Sequence, residues 1–410
     1  MKRNDKGRKI YKTKEKNYYG KSPADKVLSA CLTLLLIGGI GIIGYSAAGP
    51  LLDLKKSTGD SSDDGDTGHD ITIDDSSFTG SQPATETVTE GTSAAPSVIQ
   101  DVAAGEYMAV SLSVKDISSL DTLKKALDSI PSYGDTEIEY VEIPLKITGG
   151  SIYYNSTSEP AWRSEAVKST VMIEDIAAAV RDAGYRPAAV ISTFSDNILP
   201  AAYPESGYVL AGTYSQWIDD SLEAGGKPWL SPYSDMAMDY LGYIADEAVN
   251  AGFETIICSD IVFPDFRDSD LAILDERLSR SDRYLALTSA ANTLYERILS
   301  GGSRMLIEVS AAEVFRGNDD VLRPMLLSAG TVIVDLNMDE LKGTLTGGST
   351  TLEMTGTPEE RTKKIIGYIK ERFSDFNTVI RISGSGISEE EMSKAAGAAA
   401  AAGFSSFVLG

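Results

Sequence analysis

The chain has 410 residues and a formal charge of −23, which excludes a nucleic-acid partner because that role needs a basic face. Its single histidine is His69 and its two cysteines are Cys31 and Cys258. This composition removes Ser-His-Asp and Cys-His catalysis, histidine-ligated zinc and a disulfide framework, so no metal or cofactor is expected and any chemistry rests on carboxylates, hydroxyls, Lys, Arg and aromatics.

Residues 1–26 form a basic segment with ten Lys or Arg against three Asp or Glu, so the rest of the chain carries −30. Residues 27–49, VLSACLTLLLIGGIGIIGYSAAG, contain no charge and are long enough to cross a bilayer. Positive charge ahead of such a span predicts a signal-anchor with its N-terminus in the cytoplasm and the body outside, a single-pass cell-membrane protein. Ser46-Ala47-Ala48 keeps cleavage as the alternative. Leu28-Ser29-Ala30-Cys31 is not a lipoprotein box, since the apolar run follows the cysteine. Residues 50–104 are rich in Asp, Ser, Thr and Gly and read as a disordered linker. Within it DSSDDGDTG lacks a calcium loop's final Glu, the twelfth position being Ile71.

From residue 105 to 410 the pattern is that of one α/β domain. Strands are expected at 107–114, 138–145, 303–310 and 377–383, with a helix near 119–130. Four further strands follow an Ala-Gly pair, at Ala183, Ala251, Ala329 and Ala402, where the glycine can stop a helix. Met238, Leu241, Ile244, Ala245 and Ala248 share a helix face that Ser234 can cap, and Ile256-Ile257-Cys258 then forms a buried strand. Eight such units over about 300 residues predict a (β/α)8 TIM-type barrel with its site at the strand C-termini. A doubly wound sheet is the alternative, but no GxGxxG follows the first strand.

The strand ends offer Lys115, Lys146, Thr193 to Asp196, Ser259, Asp260, Glu308, Asp335 and Arg381. Asp260 and Glu308, on neighbouring strands, are the candidate catalytic pair for a glycosidic bond, one as nucleophile or base and one as acid. Strict alternation, however, puts Ser259 on the side of Ile257 and turns Asp260 toward the helices. Trp217, Trp229, Tyr208, Tyr214 and Tyr233 either stack on sugars or close the barrel rim. Gly384-x-Gly386 reads as a loop rather than a phosphate cradle.

Three stretches resemble a bacterial glycoside hydrolase domain family of amylase-like barrels whose activity is largely unproven. They are KPWLSPYSDMAMDYLGYIADEAVNAGFETIICSDIVFP from Lys227, AVISTFSDNILPAAYP from Ala189 and LKITGGSIYY from Leu145. The resemblance implies a glycan-directed site in which Lys146, Phe194, Asp196 and Glu308 match family positions. The family's strand-four Asp falls on Ser259, its following Arg on Val262 and its strand-three Lys on Ser195, while Pro144 and Ile147 replace acidic residues.

The expectation is therefore a membrane-anchored, extracytoplasmic glycoside hydrolase-like protein that acts on or binds cell-envelope polysaccharide. Glu308 and Asp260 are its catalytic candidates, and Lys146, Asp196, Trp229, Tyr233, Ser259, Asp335 and Arg381 its substrate contacts. The replaced positions keep a non-catalytic glycan- or protein-binding envelope protein as the alternative.

Overall fold

The computed structural model describes residues 107–131, 137–213 and 215–409. The apolar span 27–49, the linker 50–104 and Tyr214 lie outside them. Among the described residues no helix is long and apolar enough to cross a membrane.

Eight parallel strands close into a barrel. In chain order the strands are β1 (Met108–Ser111), β2 (Tyr140–Lys146), β3 (Arg186–Ser192), β4 (Thr255–Ser259), β5 (Arg304–Ser310), β6 (Thr331–Asn337), β9 (Asn377–Ser383) and β10 (Ser406–Leu409), with β10 pairing back onto β1. Between β6 and β9 stands an antiparallel hairpin, β7 (Gly343–Gly347) and β8 (Thr350–Met354). All eight barrel strands fall where the sequence places them. The hairpin was not anticipated, although TLTGGSTTL carries apolar-polar alternation around a Gly-Gly turn.

Helices cover the outside: α1 (Leu120–Asp128), α2 (Ile173–Asp182), α3 (Asp235–Asn250), α4 (Tyr284–Ser300), α5 (Ala311–Arg316), α6 (Pro358–Arg372) and α7 (Glu389–Ala401). Helix α3 begins at Ser234, whose hydroxyl accepts from the Ala237 amide at 3.3 Å. It buries Ala237, Leu241, Ile244, Ala245 and Ala248, one face of a 3.6-residue period. Gly184, Gly252 and Gly403 are left-handed and return α2, α3 and α7 to the next strand. Ala329-Gly330 departs from that pattern: it follows a 3-10 turn, Pro324–Leu326, rather than a helix.

Two packed layers result. Outside, the sheet's outer face meets the helices in one large apolar cluster. Inside, Ala109, Ala188, Ile257, Leu306, Ile333, Val379 and Val408 fill the barrel together with Tyr107 and Tyr140. The two tyrosine rings lie 4.6 Å apart, and the Arg304 guanidinium lies 5.3 Å and 4.8 Å from their centroids. The barrel is a packed core, closed below its carboxyl-terminal mouth.

Candidate active site

At the mouth the inward positions turn from apolar to charged. Glu142 of β2, Glu308 of β5, Asp335 of β6 and Arg381 of β9 all stand on the inward face: Asp335 pairs with Arg381 one inward step above Ile333 and Val379, Glu308 pairs with Ile333, and Glu142 with Ala188. One guanidinium nitrogen of Arg381, Nη2, lies 2.8 Å from Glu142 Oε2 and 2.7 Å from Glu308 Oε2. Tyr107 donates its hydroxyl to the other oxygen of Glu142 at 3.2 Å. Asp335 accepts from the Ser383 hydroxyl at 2.7 Å.

Burial pushes the Glu308 carboxyl up to about 7, a rise that Arg381 opposes and Asp335, Glu142 and Asp260 reinforce. Burial likewise raises Asp335 to about 6, against the pull of Arg381 and Ser383. Arg381, held between carboxylates, stays firmly protonated.

Asp260 joins this group through its backbone. With φ at 55° it is left-handed, one of two non-glycine residues in that region among the described residues. The turn carries the carboxylate back over the mouth instead of out toward the helices. There it accepts from the Ser192 hydroxyl at 2.5 Å and from Thr148 Oγ1 at 2.8 Å. Asp260, Glu308, Asp335 and Ser259 line one pocket of about 420 Å³ with Thr148, Ser310 and Glu340. A second pocket of about 610 Å³ adjoins it, sharing Val262, Glu313 and Val321 and reaching Trp229. The Trp229 indole N–H is tied to Asp219 at 2.8 Å, which fixes the ring at the cleft edge.

Two expected contacts are corrected. Lys146 and Asp196 have no exposed side-chain surface and pair with each other at 3.0 Å, so neither touches a substrate in the mouth. The cause is a bulge in β2. Pro144 aligns with Val190 and Lys146 with Ile191, which leaves Leu145 as an extra residue and turns Lys146 onto the outer face. There its ammonium also donates to the Ser192 carbonyl at 2.7 Å and stands 6.0 Å from the Tyr240 ring centre. Asp196 Oδ1 accepts from the Ile198 and Leu199 amides, so the pair anchors the loop after β3.

The aromatic residues divide. Tyr208 and Trp217 are buried against Phe266, at centroid distances of 5.2 Å and 5.0 Å, and close the rim. Tyr233 stacks on Phe263, and the Arg277 guanidinium lies 4.4 Å from its ring centre, so it lines neither pocket. Only Trp229 of this set faces the cleft among the described residues. The Gly384-x-Gly386 loop is no phosphate cradle, because the Ser385 amide already donates to Asp339 and three glutamates open α7. Cys258 is buried, and its thiol is pushed up to about 12, which makes it inert. Glu142 was missed, although a glutamate inside the apolar run YVEIPL was a visible signal.

A closed (β/α)8 barrel with a cluster of carboxylates in its carboxyl-terminal mouth is an arrangement compatible with a glycoside hydrolase-like domain. Residues 109–314, from β1 into α5, match the family described as "Putative glycosyl hydrolase domain", and the chain belongs to that family. Among solved structures, the glycoside hydrolase domain of PgaB (BpsB) from Bordetella bronchiseptica aligns with a TM-score of 0.52 at 13% identity, over 74% of this chain and 93% of that one. A hypothetical protein from Ruminiclostridium thermocellum aligns at 21% identity with a TM-score of 0.40, over 48% of this chain and 96% of that one. The PelA glycoside hydrolase domain from Pseudomonas aeruginosa aligns at 12% identity with a TM-score of 0.33, over 68% and 84%. No curated protein sequence matches the chain.

Proposed function

We propose that the barrel hydrolyses a cell-envelope polysaccharide outside the cytoplasmic membrane, held there by the span at residues 27–49. The observation that carries this reading is the left-handed turn at Asp260, which brings a second carboxylate into the pocket of Glu308. Glu308, protonated near neutral pH by its burial, gives its proton to the glycosidic oxygen as the bond to the anomeric carbon breaks. Asp260 either attacks that carbon or takes the proton of the water that does. Ser259 and Asp335 meet sugar hydroxyls at the floor, and Trp229 offers an indole face to a neighbouring sugar in the adjoining pocket.

The similarity to the PgaB domain, named a glycoside hydrolase domain, agrees with a glycan as substrate. Ser259 at the family's strand-four acidic position favours a second reading, a glycan-binding domain without turnover.

Wild-type body and Glu308→Gln, assayed against a panel of envelope glycans, separate the two. Loss of a general acid costs roughly 10²–10⁴-fold in rate. Hydrolysis by the wild type that the variant loses while it still binds supports the enzyme. Binding without hydrolysis by either protein supports the second reading.

A further inference from the structure

Among the described residues Arg381 is the cation that faces Glu142, Glu308 and Asp335 together, and its position between the first two is specific. Its Nη2 is shared at nearly equal distances by Glu142 and Glu308. Glu142 has no exposed surface, so its charge has no water to fall back on and must be met by Arg381 and by the Tyr107 hydroxyl. The guanidinium is therefore committed to the floor of the site before Glu308 draws on it.

We propose that Glu142 is a positioning residue: by holding the Arg381 guanidinium it prevents that cation from fully neutralising Glu308, and the excess negative charge keeps a proton on Glu308. The count of groups around Glu308 supports this. Glu142 faces it from β2, Asp335 from β6, Arg381 from β9 and Asp260 from the turn after β4, with Glu313 and Glu340 at the pocket wall. Arg304, lower on β5, is engaged with Tyr107 and Tyr140 instead. Strand β3 brings Ser192 beside the site, its one charge being Arg186 at the opposite end of the strand, paired with Glu139 and Glu254, and β10 brings no charge. One guanidinium against this many carboxylates cannot leave all of them ionised in a partly dry pocket. The raised proton affinity of Glu308 and Asp335 agrees with that balance.

The role assigned to the proton rests on the hydrolase reading, whereas the coupling between Glu142 and Glu308 does not. The test is a titration of 13C-carboxyl-labelled glutamate in the purified barrel, with the Glu308 signal assigned by its loss in Glu308→Gln. In Glu142→Gln, which keeps shape and removes the competing charge, the Glu308 midpoint is expected to fall by about one pH unit, a tenfold loss of proton affinity. Tyr107→Phe, which removes only the hydroxyl that donates to Glu142, is expected to shift it the same way by less. It serves as the deciding variant if Glu142→Gln does not fold. An unmoved midpoint in the folded variant overturns the proposal. A shifted midpoint in a protein that hydrolyses no glycan upholds the coupling and overturns only the hydrolase reading. Where turnover exists, the alkaline limb of its pH profile is expected to move with the midpoint.

Discussion

The Ser192 hydroxyl donates to the Asp260 carboxylate at 2.5 Å, joining the inward face of β3 to a residue that alternation along β4 would have pointed outward. The bond exists because Asp260 is left-handed. Asn visits that region readily and Ala does not, the difference being about 1–2 kcal/mol. Asp260→Asn is therefore expected to unfold in urea close to wild type, with Asp260→Ala about 1 kcal/mol less stable. Both are expected to lose turnover under the proposed mechanism. Equal stability of the two variants would mean that the turn is not held by this residue.

Lys146 and Asp196 are expected to matter for stability and not for chemistry. Lys146→Met leaves the Asp196 carboxylate buried without its cation, a loss of about 3–5 kcal/mol. Asp196→Asn in the same chain is expected to recover much of this, since Asn can still accept from the Ile198 and Leu199 amides. Denaturant midpoints of the three proteins check the order. Turnover per folded molecule is expected to stay at the wild-type level.

The stability of the barrel is expected to fall as pH rises through neutrality. Glu308 binds its proton more tightly in the folded chain than in the unfolded one, where the ordinary value is 4.5. Its favourable contribution is therefore complete below that value and lost as pH climbs through about 7. Asp335, raised to about 6, acts in the same direction at somewhat lower pH. The Glu308 contribution amounts to at most about 3 kcal/mol. Urea unfolding at pH 5 and pH 8 is expected to show the loss in wild type and a flatter dependence in Glu308→Gln.

Much of the fold was legible because it is written in periods: eight apolar runs, helices with one buried stripe, and Ala-Gly stops. The site was legible only where the strands stay regular. Glu308, Asp335 and Arg381 lie on unbroken β5, β6 and β9, so their direction follows from counting by twos. At two places the backbone breaks the count, in opposite senses. The extra residue at Leu145 takes Lys146 out of the mouth, and the left-handed turn at Asp260 brings that carboxylate in. Neither irregularity has a period to betray it. Pro144, which has no amide to give to a neighbouring strand, was the one local hint of the first.

The proposed topology makes a separate prediction. Protease added to intact cells is expected to release a fragment that begins in residues 50–104 and contains the whole barrel, while leaving residues 1–26 with the cells. Protection of the barrel under conditions that cleave a known surface protein would place it inside and remove envelope polysaccharide as substrate.

The tyrosine and arginine plug below the carboxylates has a consequence for how a long molecule is handled. Because Tyr107, Tyr140 and Arg304 close the barrel beneath the site, a polymer cannot thread through and leave by the far end. Under the proposed function a glycan chain would lie across the mouth or enter it end-on, and every part of it would leave over the rim. The number of sugars such a site would grip is set by the loops after β3, β4 and β5, which also frame the second pocket. A chain lying across the mouth needs no free terminus, and under the proposed function the fragment sizes released would be set by rim loops rather than by the strands beneath them.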